Sequence, residues 1–321
     1  MQGGVTRRLS HVAAASEVQA LSVCCHGGTE SLAVVDSYGR LCVASSPTAF
    51  SPSREEPPAA APPPTVLTAE PPHAAVEPSW AGVAWAESGS DCSASALPRL
   101  AVARNLARCI DVYDGGLHAA CIHTAGYPNA VSFLPCSAGG SGGAATHARG
   151  CVVATAEASR VVLYDTRSRA VAGRLSPGGG SGGCGGGESL AIAAATGPGT
   201  FHLLALACAD RTLIIFDIRS GHPLRRLPGL TRKPATHLRF VPSDARYIAV
   251  AGSDQQLLLR RWDKCGAGDV SCAESANGVT LRGDARWAGL DVAPAGLHMR
   301  PTLAAWSASG VLVAAEMEAA P

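Results

Sequence analysis

The sequence predicts an all-β chain assembled from one repeated antiparallel unit, and three observations carry that expectation. Short apolar runs recur at near-constant spacing, each closing on an aromatic residue followed by aspartate. The chain of 321 residues holds 36 glycines and 22 prolines, a density that suits many short strands and turns. Charged residues make up only 16%, well under the usual quarter, too few to solvate long surface helices or a coiled coil. The hydrophobic fraction, 47%, supports a substantial core. A prior of about 150 residues per domain suggests two domains, but repeat architectures run longer as one unit. We read residues 1–321 as a single domain.

Four runs define the repeat: Ile110–Asp114, Val161–Asp165, Leu213–Asp217 and Leu257–Asp263. Their closing aspartates stand 51, 52 and 46 residues apart. Each follows a second apolar stretch, respectively Leu100–Ala103, Cys151–Ala154, Leu203–Ala207 and Tyr247–Ala251. A third lies further upstream and ends in a proline turn in two cases, Ala130–Pro135 and His237–Pro242. Degenerate copies flank the four. Near the start are Ala20–Cys24, Leu32–Val35 and Gly39–Val43; near the end are Trp287–Val292, Leu303–Trp306 and Gly310–Ala314. This makes six units of three strands, each trailed by a looser fourth such as Pro223–Leu227. The uncharged stretch Ser189–Ala209 has bilayer length at 21 residues, yet Gly197–Thr200 interrupts it as a turn would, so it reads as two strands.

The unit from Thr200 to Leu227, in which Ala209–Thr212 precedes Leu213–Arg219, resembles the WD-repeat family of β-propellers. The rhythm of the resemblance covers nearly the whole chain, its motifs about half. No unit has the family's Gly-His dipeptide at its entry; Gly229 is followed by Leu230 where it would fall. The one literal Trp-Asp, Trp262–Asp263, comes two residues late relative to Asp254, which suggests a bulge or misregister. The resemblance implies a single propeller of six blades, with seven as the alternative, each of four antiparallel strands. Repeats longer than the family's 40–45 residues are explained by inserted loops, Pro-rich at 46–78 and Gly-rich at 137–150 and 177–187. The segment Gly4–Val12 resembles the fourth-strand segment His222–Leu227. Placed as the missing fourth strand of the last unit, it would close the ring and remove the open sheet edge.

Composition and motifs narrow the activity. Twenty-six basic against 25 acidic residues give +1, which excludes a general electrostatic attraction to nucleic acid or acidic membranes. The 12 cysteines include no C-x-x-C and no Cys/His quartet with finger spacing, so neither a disulfide scaffold nor a structural zinc is expected. Cys42, Cys109, Cys151 and Cys208 sit in apolar runs as small hydrophobes, which points to a reducing compartment, cytoplasmic or nuclear. Residues 1–20 lack the apolar core of a signal peptide. The G-x-S-x-G matches at Gly139–Gly143 and Gly179–Gly183 lie in glycine tracts that supply neither the strand nor the helix of a nucleophile elbow. The same tracts lack the Gly-Lys-Ser/Thr ending of a phosphate loop, and the ten histidines are scattered. We expect no enzyme activity, no cofactor, no metal and no small-molecule substrate.

Charge distribution points to a binding role. Between Arg211 and Lys264 eleven basic residues (Arg211, Arg219, Arg225, Arg226, Arg232, Lys233, Arg239, Arg246, Arg260, Arg261, Lys264) meet four acids (Asp217, Asp244, Asp254, Asp263), a local excess of +7. One basic face is expected, with Arg225, Arg226, Arg232 and Lys233 foremost and an acidic protein as partner. RNA is the weaker expectation, because stacking wants exposed aromatics and these are 5% of the chain. Two units end in Asp-x-Arg, Asp165–Arg167 and Asp217–Arg219. These resemble the box by which some WD-repeat proteins dock on the adaptor of cullin-RING ubiquitin ligases, so the resemblance makes Arg167 and Arg219 candidate partner-binding residues. The expected function is a non-catalytic interaction scaffold within a larger complex. A ligase substrate receptor and a nucleic-acid-binding propeller are the alternatives.

Overall fold

The computed structural model describes residues 17–26, 29–47, 65–70, 77–86, 98–135, 151–178, 187–197, 199–263, 279–293, 302–309 and 312–316. Gly4–Val12, the glycine tracts at 137–150 and 179–186, and Lys264 lie outside them. Every regular element among the described residues is a strand. The first sheet is β1 (Val18–His26), β2 (Thr29–Asp36), β3 (Leu41–Pro47) and β4 (Thr65–Ala69), and the second is β5 (Ala81–Trp85), β6 (Leu100–Arg104), β7 (Cys109–Asp114) and β8 (Leu117–His123). The third holds β9 (Pro128–Phe133), β10 (Val152–Glu157), β11 (Arg160–Asp165) and β12 (Ala170–Leu175). The fourth holds β13 (Ser189–Ala194), β14 (Leu203–Cys208), β15 (Leu213–Asp217) and β16 (His222–Leu227). The fifth holds β17 (Ala235–Phe240), β18 (Tyr247–Gly252), β19 (Gln256–Arg261) and β20 (Val279–Arg282). The last has three strands, β21 (Trp287–Ala293), β22 (Thr302–Ser307) and β23 (Leu312–Glu316).

All pairings are antiparallel between sequence neighbours. First strands lie side by side from sheet to sheet: β1 against β5, then β9, β13, β17 and β21, with β21 also against β1. The arrangement is that of a β-propeller, with five four-stranded blades and one three-stranded sheet. Ser189–Ala209 is two strands, β13 and β14, as its central turn implies. Thr65–Ala69 differs from expectation. It falls within the proline-rich stretch read as an inserted loop, yet these five residues contain no proline and pair with β3 as the fourth strand.

Side-chain size alternates with one rule in the second strands. Ala101 and Ala103 of β6 pack with Val153 of the next sheet, and Ala154 and Ala156 of β10 with Leu204 and Leu206. Ala205 and Ala207 of β14 pack with Ile248 and Val250, and Ala249 and Ala251 of β18 with Leu290 and Val292. Alanines thus face the following sheet and branched residues face the preceding one. Small against large fills each inter-sheet layer at interior density. Within the last sheet, Gly289 lies directly opposite Trp306 across the β21–β22 pairing, and a Cβ there would overlap the indole.

One polar network interrupts these layers. Glu157, wholly buried on β10, accepts hydrogen bonds from Thr155 Oγ1 (2.7 Å), Tyr164 OH (2.7 Å) and the Gly126 N–H (2.6 Å). The Ala125 N–H donates to Tyr164 OH (2.8 Å). The network ties strands β10 and β11 to the linker arriving from the second sheet. Burial pushes the Tyr164 phenol far above its ordinary range. Tyr164→Phe leaves the Ala125 N–H without its acceptor and removes a donor from the buried Glu157 side chain, and should cost about 1–3 kcal/mol. Urea unfolding checks this, and an unchanged midpoint would show the network carries no stability.

Candidate functional site

In a meander of four antiparallel strands, the first-to-second and third-to-fourth connections emerge at one end. The second-to-third connection and the linker onward emerge at the other. Neighbouring sheets align like ends. Arg99, just before β6, donates to Thr166 Oγ1 just after β11 (3.5 Å), and Asn129 Nδ2 near the start of β9 donates to the Ser189 carbonyl at the start of β13 (3.2 Å). The molecule therefore presents two faces, each made of one set of connections.

The face carrying the third-to-fourth turns repeats one charged device. In the turn after β11, Asp165 accepts the Arg167 backbone N–H through Oδ1 (2.8 Å), while Arg167 Nε and Nη2 reach Oδ1 and Oδ2 (3.4 and 3.1 Å). After β15, Asp217 and Arg219 do the same at 2.9, 3.1 and 2.8 Å. Asp244 and Arg246, between β17 and β18, repeat it at 3.1, 2.7 and 2.6 Å. The Asp takes the turn's N–H and then clamps the arginine's Nε edge, so a planar cation stands upright on a rigid turn. Arg99 and Asp114 add another pair at 2.6 Å at this end of the second sheet. The turn itself recurs: Arg169 and Gly221 both take positive φ (57° and 72°) and bond back to Asp165 and Asp217.

The fifth sheet carries the device reversed. Strands β18 and β19 pair without a bulge, with Ile248 opposite Arg260 and Tyr247 opposite Arg261. Arg261 thus occupies the position of Asp165 and Asp217, and the buried Arg260 that of Tyr164 and Phe216. Trp262–Asp263 lies beyond the strand, so the literal Trp-Asp is a misregister and not the counterpart of the other three endings. The ion pair survives with its order inverted: Arg261 Nε and Nη2 bond Asp263 at 2.8 and 3.1 Å. Displaced from the strand, Trp262 donates to the Ala245 carbonyl (2.6 Å). It lines a half-open cleft of about 270 Å³ with Gly197, Thr200, Pro242 and Arg246.

These pairs hold their carboxylates ionised. The Arg219 fork depresses the Asp217 carboxyl to about 2, and Arg167, Arg246 and Arg261 likewise lower Asp165, Asp244 and Asp263.

Arg167 and Arg219 therefore sit on one face, exposed. Arg225 and Arg226 lie on the outer strand β16, half-buried, and not in a loop. Arg232 and Lys233 are exposed in the linker from β16 to β17 at the opposite end, where the Arg232 N–H donates to Asp254 (3.2 Å). Arg239 is paired with Asp291 at 3.1 Å. The described cations of 211–261 are spread over both faces, an outer edge and the interior. Sequence reading passed over Asp244–Arg246, because it looked for Asp-x-Arg only after third strands; the same three-residue pattern marks it.

It also passed over a cluster in the second sheet. Asp111 is buried on β7, ion-paired to buried Arg104 at 2.7 Å, with His118 Nε2 at 3.2 Å from its other oxygen. Cys121 stands directly opposite Asp111 across the β7–β8 pairing. Ligand atoms of Cys109, Asp111 and Cys121 lie within 4.8 Å of one another, the only such group among the described residues. Burial and the nearby carboxylate raise the Cys121 thiol to about 12. Cys42, Cys109, Cys121 and Cys208 are free thiols.

No protein-family model matches the chain, and neither does any curated protein. Among the described residues no helix is long and apolar enough to cross a membrane.

The Asp217 fork yields a signed expectation. A carboxyl depressed from 3.8 to about 2 contributes stability at and above the unfolded value, lost as pH falls through the folded one. In Arg219→Ala the Asp217 midpoint should return toward 3.8, while the melting temperature at neutral pH stays close to wild type, since exposed pairs contribute little. Carbon-detected NMR titration reads the midpoint; equal midpoints in the two proteins would mean the fork does not form.

Proposed function

We propose that the chain is a non-catalytic protein–protein interaction scaffold, a WD-repeat-type subunit of a larger assembly, docking an acidic protein through the face that bears the Arg–Asp forks. The observation that carries this reading is the same clamped arginine at equivalent third-to-fourth turns of two consecutive blades, repeated on a first-to-second turn of the next. Each aspartate occupies the Nε edge of its arginine, so the far side of the guanidinium is turned to a partner carboxylate. Nη1 of Arg219 and Arg246 bonds to none of the described residues. Arginine held this way loses little freedom on binding, which lowers the cost of association, and arginine is a favoured interface anchor. The Trp262 cleft beside Arg246 adds an apolar pocket to the charged rim, the mixture typical of an interface.

A second reading is supported by the equivalence of Arg167 and Arg219: a substrate receptor that presents both to a cullin-RING adaptor. Nucleic acid is less favoured, because Arg232 and Lys233 lie at the end opposite the forks, so the cations form no continuous track for a phosphate backbone. The ring is proposed to have six blades, the sixth completed by residues 4–12 as its outer strand. The neighbouring β21 and β1, and the three-stranded last sheet, support this.

Affinity purification of the tagged full chain from its native cell, followed by mass spectrometry, tests the rim. Partners recovered with wild type should be lost or depleted at least ~10-fold with Arg219→Glu/Arg246→Glu, as expected when buried charge pairs are reversed. Loss of a cullin adaptor with Arg167→Ala/Arg219→Ala would select the receptor reading. Equal recovery with all variants would remove the rim from the interface.

A further inference from the structure

We propose that Cys109, Asp111, Cys121 and His118 form a binding site for a thiophilic divalent cation of the Zn²⁺ class, joining β7 to β8 within the second blade. Two thiols, one carboxylate and one imidazole are a ligand set suited to tetrahedral zinc. Zinc bonds of about 2.0–2.3 Å make tetrahedral edges of roughly 3.3–3.8 Å. His118 Nε2 and Asp111 Oδ1 are already 3.2 Å apart, and the two sulfurs and the carboxylate lie within 4.8 Å. A contraction of about an ångström would bring the two sulfurs and the carboxylate to tetrahedral spacing, and His118 would swing in from the Asp111 side as the fourth ligand.

The strand pairing explains why these four groups meet. Asp111 opposes Cys121 directly, and Cys109, two residues earlier on β7, projects from the same side of the sheet. A register shift between Val112 and Tyr113 then sets His118 opposite Tyr113, which brings the imidazole back onto that side, edge-on to the Tyr113 ring. The bulge converts a strand alternation into a four-ligand cradle. No short sequence motif announces it, because the ligands are spaced 109, 111, 118 and 121.

Charge and access agree. With both sulfurs as thiolates, Asp111 ionised and a divalent ion bound, the site carries one net negative charge. Buried Arg104, 2.7 Å from the outer Asp111 oxygen, supplies the balancing positive one. Arg104 is then the outer-shell partner that orients a ligating carboxylate, leaving Oδ1 to face the imidazole. His118 is one-third exposed and gives a path for the ion to enter.

The test uses the full chain, reduced, stripped with chelator and titrated with Co²⁺ as a spectroscopic probe and Zn²⁺ as competitor. Wild type should bind one equivalent of Co²⁺ with a thiolate-to-metal absorption band and tetrahedral visible bands, both bleached by Zn²⁺. Cys109→Ser and Cys121→Ser should each weaken binding by more than the roughly 10–100-fold typical of losing an outer-shell partner. His118→Ala, at a surface position that folding tolerates, should shift the visible bands while the thiolate band persists. Cys42→Ser, outside the cluster, should leave both untouched. Absence of any thiolate band in folded wild type, an unchanged spectrum in His118→Ala, or a Cys109–Cys121 disulfide in protein isolated without reductant would overturn the proposal.

Discussion

Everything else in the molecule depends on one packing constraint: each blade must bury both faces of a thin sheet against its neighbours. The second strands meet it by putting alanine toward the following sheet and a branched residue toward the preceding one, repeated from β6 to β18. Layers formed this way interdigitate without voids, and the small side lets adjacent blades approach closely. The charged groups at the ends of two second strands are each met by partners. Glu157 is met by a hydroxyl, a phenol and a backbone N–H. Arg104, its counterpart one blade earlier, is met by Asp111. The same strand position is acidic in one blade and basic in the next, and each is neutralised or hydrogen-bonded by its own surroundings. That is what burying a charge requires.

The rigid layers make the turns useful. A turn pinned at both ends by paired strands holds its Asp-x-Arg fork in one orientation, and the third and fourth sheets repeat that orientation. The fork in the fifth sheet survives reversal of its sequence, Arg261 before Asp263, so what is maintained there is a cation–carboxylate pair at the rim and not a particular motif. Its misregister also frees Trp262 from the strand and sets the indole in the cleft beside Arg246. The second sheet uses the bulge at Val112/Tyr113, a feature it shares with Leu163/Tyr164 and Ile215/Phe216 in the next two sheets, to draw His118 toward Cys109, Asp111 and Cys121. The Trp262 cleft therefore arises where the repeat departs from itself, whereas the Cys109–Cys121 cluster arises from the side chains that the second sheet places around a bulge common to three sheets.

That pattern explains what the sequence made legible. Strand runs such as Val161–Asp165 and Leu213–Asp217 are visible because their apolar period survives in one dimension, and Arg167 and Arg219 follow directly from them. Strand β4 was hidden because flanking prolines dominate the composition around Thr65–Ala69. The basic excess of 211–264 reads as one face along the chain, but strand alternation and the two-ended turn geometry distribute it: Arg260 inward, Arg225 and Arg226 to the edge, Arg232 and Lys233 to the far face. The Cys109–Cys121 cluster was illegible for a related reason. Its members are brought together by cross-strand register and a bulge, neither of which leaves a fixed spacing.

Ring closure through both ends of the chain is the central claim, since the rim has a single orientation only if the blades form one continuous ring. The most direct measurement compares urea unfolding of the full chain with that of a chain beginning at residue 13. The account predicts a lower midpoint for the shortened chain, seen equally by Trp306 in the last sheet and Trp85 in the second when each is followed in a single-tryptophan variant. Coincident transitions for the two chains would contradict it.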